Sequence, residues 1–190
     1  MSEARIGFGR AAVLGSLLLS ACGLSACGAR PPGPAGKPLP KPSATAKLID
    51  SSGKQIGLAI LTRTDTGTSV GRSLAALSPG LHGLHFHETG QCTPPDFASA
   101  GGHFNPTSRR HGLANPDGPH LGDLPNLLVQ PDGSADTTFR LDPVLLTPGP
   151  LSLLRPEGTA IVVHAGPDDL RSDPSGGSGD RIACGPIEPS

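Results

Sequence analysis

Between Thr89 and Pro125 the sequence loses every hydrophobic period, while strand-length segments flank it on both sides. The run is rich in Gly, Pro, Asn, Asp and His, a composition that favours turns over regular elements. A structureless stretch of this length is uncommon inside a compact domain unless it serves a function. The chain is thereby restricted to folds that hang a long connection on a rigid frame.

The frame reads as β. Thr45 to Asp50, Gln55 to Arg63, Thr68 to Leu77 and Leu81 to Glu88 are strand-like, with turn signals at Ser52-Gly53 and Thr66-Gly67. Beyond the irregular run, Asn126 to Gln130 and Ala135 to Leu141 join across Pro131-Asp132-Gly133. An apolar strand from Gly158 to His164 and a last one from Arg181 to Ile187 follow. No segment sustains a helical period, and short, regularly spaced strands imply an all-β antiparallel sandwich or barrel.

The start of the chain is of another kind. Arg5 and Arg10 precede an apolar run from Ala11 to Ala21, too short to span a bilayer and typical of an export signal. Leu19-Ser20-Ala21-Cys22 and Leu24-Ser25-Ala26-Cys27 both resemble a lipobox, the bacterial signal whose cysteine is acylated after cleavage. Placement of the apolar run favours Cys22. Cysteine arithmetic favours Cys27, because cleavage before Cys22 leaves an odd thiol. Gly follows each cysteine, where an aspartate associated with inner-membrane retention would stand, so the expected site is the outer membrane facing the periplasm. Residues 1–28 are thus a signal segment and 29–43 a Pro/Gly-rich tether that cannot bury a core. Residues 44–190 form one domain. Export makes a disulfide between Cys92 and Cys184 the natural expectation. A formal charge of −1 and the absence of Trp and Tyr argue against a nucleic-acid binder, leaving a lipid anchor as the expected membrane link.

All seven histidines fall between His82 and His164. His85-Phe86-His87 sits on a candidate strand, where period-two alternation puts both imidazoles on one face. Neutral imidazole is a ligand for copper and zinc, but this spacing alone is a weak signal. His103, His111, His120 and Asp123 recur in the irregular run, which has no apolar pattern to order it. Three imidazoles and a carboxylate suit a closed tetrahedral zinc site. His164 ends an apolar strand, and Asp168 nearby can accept imidazole N–H bonds from behind the ligands.

These residues carry a family resemblance. Gly80-Leu81-His82-Gly83-Leu84-His85-Phe86-His87-Glu88 resembles the copper-ligand strand of the copper–zinc superoxide dismutases. The likeness continues through Gly101-Gly102-His103-Phe104-Asn105-Pro106, Arg110-His111-Gly112 and His120-Leu121-Gly122-Asp123-Leu124. It closes with Val162-Val163-His164-Ala165-Gly166 and Gly179-Asp180-Arg181-Ile182-Ala183-Cys184-Gly185. The resemblance implies a Greek-key, eight-stranded antiparallel barrel with long metal-binding loops. It implies copper on His85, His87, His103 and His164, and zinc on His103, His111, His120 and Asp123. It makes Asp168 the link behind both ligand sets, Arg181 the catalytic arginine beside copper, Cys92 and Cys184 the family disulfide, and His82 structural. Superoxide would be the substrate, with His103 handling a proton, and a homodimer is left open. Arg109, Arg110 or Arg171 is expected to steer the anion, since the loop from Asp168 to Arg181 has no lysine. The alternatives are a catalytically silent copper/zinc-binding or copper-delivery module of the same fold and a mononuclear zinc hydrolase. No H-E-x-x-H motif supports the hydrolase.

Overall fold

The computed structural model describes residues 43–190. The signal segment, nearly all of the tether, Cys22 and Cys27 lie outside the described residues. The early strands are β1 (Ala44–Asp50), β2 (Gln55–Arg63), β3 (Thr68–Leu74), β4 (Gly80–His82) and β5 (Leu84–His87). The later ones are β6 (Leu127–Val129), β7 (Ala135–Leu141), β8 (Ala160–His164), β9 (Arg181–Pro186) and β10 (Glu188–Pro189). One antiparallel sheet runs β5-β8-β9-β1-β2-β3-β7, and β4 pairs with β6 in a separate ribbon.

Two pairs of these strands are single chain passes. β9 and β10 lie on β1 in one register, Cys184 opposite Ile49 and Pro189 opposite Ala44, with the pairing lapsing between them. The expected strand from Leu81 to Glu88 is broken at Gly83. Gly83 gives its N–H to Gly166 O (2.7 Å) and accepts the His164 N–H (2.9 Å), so its polar groups serve the end of β8 and leave the β4–β6 ladder. Counted as passes, the ten strands make the eight of the expected barrel. β3 ends at Leu74, three residues before the expected Leu77, where Ala76 turns to a φ of 61°.

Alternation sets what the curled sheet encloses. Leu48, Leu61, Val70, Leu84, Phe86 and Ile161 point into the main core. The opposite faces of β8 and β9 bury a smaller cluster of Phe97, Ala100, Ala160, Val162 and Cys184. Phe97 caps and Ala100 ends the 3-10 turn Ala98–Ala100, the one regular element inside the long connection. A disulfide joins Cys92 of that connection to Cys184 of β9.

The connection is pinned along the free edge of β5 by a ring of backbone bonds. Phe86 N–H donates to Gly122 O, Gly122 N–H to Phe104 O, and Phe104 N–H to Phe86 O, each 2.8 Å. A Cβ on Gly122 would lie 2.5 Å from Phe86 O, so three chain passes meet only because residue 122 is glycine. Phe86 and Phe104 anchor this junction in the core. The residues beside them, His85, His87, His103 and Asp123, are carried to the outer face, with bridges His85↔Asp123 and His87↔His103.

Candidate metal centre

Strand alternation aims Leu84 and Phe86 into the core and leaves His85 and His87 on the outer face, opposite Val162 and Ala160 of β8. His164, at the end of β8, and His103, from the long connection, complete a buried cluster whose ligand atoms lie within 4.8 Å of one another. Among the described residues, His85 Nδ1, His87 Nε2, His103 Nε2 and His164 Nε2 are buried with no hydrogen-bond partner. Buried polar atoms are rarely left so, and four converging imidazole nitrogens make a metal-ligand set.

The other nitrogen of each ring explains its orientation. His85 Nε2–H donates to Asp168 Oδ2 (2.7 Å), His87 Nδ1–H to Gly101 O (3.0 Å) and His164 Nδ1–H to Gly179 O (3.0 Å). Each bond fixes the tautomer that turns a lone pair inward. Burial holds His87 and His164 neutral, lowering their pKa to about 2 and about 3. Burial also lowers His103, to about 4, against the pull of Asp123.

A second set shares His103 through its opposite nitrogen. Asp123 Oδ1 lies 2.9 Å from His103 Nδ1, 3.0 Å from His111 Nδ1 and 3.3 Å from His120 Nδ1. His120 Nδ1 is 3.4 Å from His103 Nδ1. A tetrahedron around an ion with bonds of about 2.0–2.1 Å has edges of about 3.3 Å, so these four atoms fit zinc. His85 falls within range of the second set as well. Its Nε2–H is committed to Asp168, which leaves His120 the better fourth member. Burial opposes ionisation of Asp123, yet bonds from the three imidazoles and the Gly112 N–H hold it far below the usual carboxylate range. Asp168 is likewise held low against burial by His111 and His85, receiving their Nε2–H groups on its two oxygens.

Arg181 opens β9 opposite His164, just before the bulge. Its guanidinium donates to Phe97 O and Gly101 O, both at 2.7 Å. It lines an open cavity of about 240 Å³ together with His87, His103, His164, Pro174 and Ser175. The three arginines expected to steer lie elsewhere. Arg109 donates to Gly118 O, Arg110 pairs with Asp173, and none of Arg109, Arg110 and Arg171 lines that cavity. His82 belongs to neither set and is buried between His164 O (2.7 Å) and Ser78 O (2.8 Å), as a structural histidine would be. Sequence reasoning missed Asn126, which grips the Asp168 backbone at 2.8 and 2.9 Å, and the carbonyls of Gly101 and Gly179. The Gly-Gly at 101–102 was the available signal for a close backbone approach.

A curled β-barrel with two adjoining ligand sets on its outer face, joined by one imidazole, defines a class of binuclear metalloproteins. The chain belongs, within it, to the copper/zinc superoxide dismutase family: residues 56–187 match the family described as "Copper/zinc superoxide dismutase (SODC)". It is 45% identical over 146 residues to "Superoxide dismutase [Cu-Zn] 2" of Aquifex aeolicus, covering 76% of this chain and 85% of that protein. The crystal structure of a superoxide dismutase-like protein from Bacillus subtilis superposes with a TM-score of 0.73 at 40% identity, covering 75% of this chain and 96% of that one. The copper/zinc superoxide dismutase from Brucella abortus gives a TM-score of 0.62 at 30% identity, covering 76% and 99%. The cofactors of the family are copper and zinc, and both donor sets fit them.

Proposed function

We propose that the chain is an oxidoreductase that disproportionates superoxide. Copper would be held by His85, His87, His103 and His164, and zinc by His103, His111, His120 and Asp123. The observation that carries this reading is His103, which presents Nε2 to one set and Nδ1 to the other. Copper, when bound there, would supply a one-electron couple for oxidising one superoxide to dioxygen and reducing a second, with two protons, to hydrogen peroxide, while zinc would supply no redox step. The protein's own part is positioning. Arg181, held rigid by two carbonyls, binds the anion without changing its protonation state. Asp168 keeps His85 and His111 in register across the two sets. His103 Nε2 is placed to hold a proton whenever that nitrogen is free and to pass it to the reduced product.

The test is to load the purified domain with copper and zinc and assay superoxide disproportionation before and after His164→Ala. Activity lost in the variant is expected. Full metal loading without activity in the parent protein would support a silent metal-binding member, and activity that needs zinc but not copper would sink the assignment.

The same reading places the enzyme in the cell envelope, protecting it from superoxide, supported by the export-like segment and the two lipobox-like cysteines. Fatty-acid labelling abolished by Cys22→Ala is the expected result. Loss only with Cys27→Ala would move the anchor, and no labelling at all would leave a plain cleaved signal.

A further inference from the structure

Asp173 stands outside both ligand sets, yet it touches the backbone of one proposed ligand. The segment around it is self-supporting. Asp169 accepts the N–H groups of Arg171 and Ser172 and the Ser172 hydroxyl, while Gly176 N–H reaches Ser172 O and Asp169 N–H reaches Gly176 O. These bonds hold residues 169–176 as a closed loop with Asp173 in its span. One oxygen of Asp173 accepts the His111 N–H at 2.6 Å, and the other accepts Arg110 Nη1 at 3.1 Å.

The two segments meet along a broader seam. Ala114 N–H donates to Leu170 O (2.9 Å), and Asn115 Nδ2 donates to Arg171 O (3.1 Å) and to His111 O (2.9 Å). Gly112 has a φ of +109°, and a Cβ there would lie 2.2 Å from Leu170 O, so the approach excludes a side chain. His111 is therefore held at several points. Asp168 takes its Nε2–H, Asn115 its carbonyl and Asp173 its N–H, while Nδ1 is left for the second ligand set.

We propose that Asp173 is a positioning residue for zinc, keying the 169–176 loop to the backbone of His111 and so fixing the angle at which His111 Nδ1 meets the ion. This rests on the reading of His111, His120 and Asp123 with His103 as the zinc set. The working contact is the N–H bond. The pair with Arg110 is exposed (67% of the arginine side chain), and exposed pairs contribute little. The two contacts are separable by chemistry: Asp173→Asn keeps an oxygen for the His111 N–H and loses the charge, whereas Asp173→Ala loses both. Groups that orient a metal ligand typically change metal affinity by about 10- to 100-fold when removed.

The experiment loads the parent protein and both variants with copper and zinc and follows zinc release to a chromogenic chelator. In parallel, cobalt(II) replaces zinc so that its visible d–d bands report the ligand geometry. Asp173→Ala is expected to release zinc about tenfold faster or more, with altered cobalt bands and unchanged copper content. Asp173→Asn is expected to restore both readouts. Parental zinc release and cobalt bands in Asp173→Ala would overturn the proposal, as would equal loss of copper and zinc, which marks general loosening. Failure of Asp173→Asn to rescue would place the effect in the charge and overturn the N–H assignment. If the parent protein takes up no zinc at this set, the zinc reading itself falls, and the proposal with it.

Discussion

Four imidazoles of the centre, His87, His103, His164 and His111, shift in opposite directions, and that bears on how the metal-free protein responds to pH. Burial lowers His87, His103 and His164 to about 2, 4 and 3, from 6.5 for a free ring. Between pH 6.5 and those values the unfolded chain binds protons that the folded chain refuses, so acidification through this window removes stability. Asp123 and Asp168, held below their ordinary range, add to the loss at the acid end. His111 runs the other way. Burial works against its protonation, but Asp123 and Asp168 outweigh it and raise the pKa to about 9. Its contribution is complete below 6.5 and is lost as pH climbs through 9. Urea midpoints of the metal-free protein should therefore peak near pH 6.5 and fall on both sides; a midpoint rising steadily to pH 10 would contradict the assignment. A second residue-scale case is Arg72, 4% exposed on the inward face of β3, in a row with Ala46, Ala59 and Thr137. It lies over Phe139 at 4.7 Å, but its Nε and Nη1 have no partner among the described residues. Burial lowers its pKa only to about 10, so it stays charged. Replacing an unpaired buried charge with an apolar side chain of similar length relieves desolvation. Arg72→Met is expected to gain about 1–2 kcal/mol in denaturant unfolding, and a loss would show that the guanidinium is held by more than the ring.

At the level of elements, the connection from Glu88 to Gly102 acts as a strap over the outer face of β8 and β9. Phe97 fills the small second core, Cys92 ties the strap to β9, and its Phe97 and Gly101 carbonyls hold Arg181. The disulfide spans 92 residues. In the chain-entropy treatment such a closure stabilises by about 4–5 kcal/mol. Cys92→Ser/Cys184→Ser is thus expected to lower unfolding stability by an amount of that order and to cut activity even under conditions where the domain stays folded. Retained full activity would uncouple the strap from Arg181. This arrangement was only partly legible in the sequence. The strands whose alternation is regular, β1 and β3, were readable because one face is buried and the other is not. The division of Leu81 to Glu88 was not, because Gly83 bonds to Gly166 and His164, residues more than eighty positions away. The strap itself read as featureless, since Phe97 and Ala100 make no period and find their core only against β8 and β9. His85 and His87 were legible through H-x-H spacing, whereas Asp173 and Asn126 act through backbone atoms that no spacing reveals.

Over the whole molecule the formal charge is −1, so an anionic substrate meets no general attraction, and the local field at the mouth decides. Arg181 is the cation there, but Asp96 and Asp180 line the adjoining recess that shares Arg181, Gly102 and Gly179 with the mouth. Arg110, one of the sequence candidates for a compensating charge, is paired with Asp173. The two carboxylates oppose the attraction that Arg181 and a bound copper would exert on the approaching anion. In water, a unit charge about 8 Å from the incoming anion changes its energy by about 0.5 kcal/mol, or about twofold in encounter rate. Salt at about 0.15 M has a screening length of about 8 Å, so the effect is largest in dilute buffer and fades as salt is added. The parent enzyme is accordingly expected to show a rate that is nearly flat in ionic strength. Asp180→Asn should raise the second-order rate about two- to threefold at low salt and turn the dependence downward, with Asp96→Asn acting in the same direction. Pulse radiolysis across an ionic-strength series measures both quantities. A parent rate that falls steeply with salt, or an Asp180→Asn variant identical to the parent in rate and slope, would mean that the field at the mouth is set by charges other than these two carboxylates.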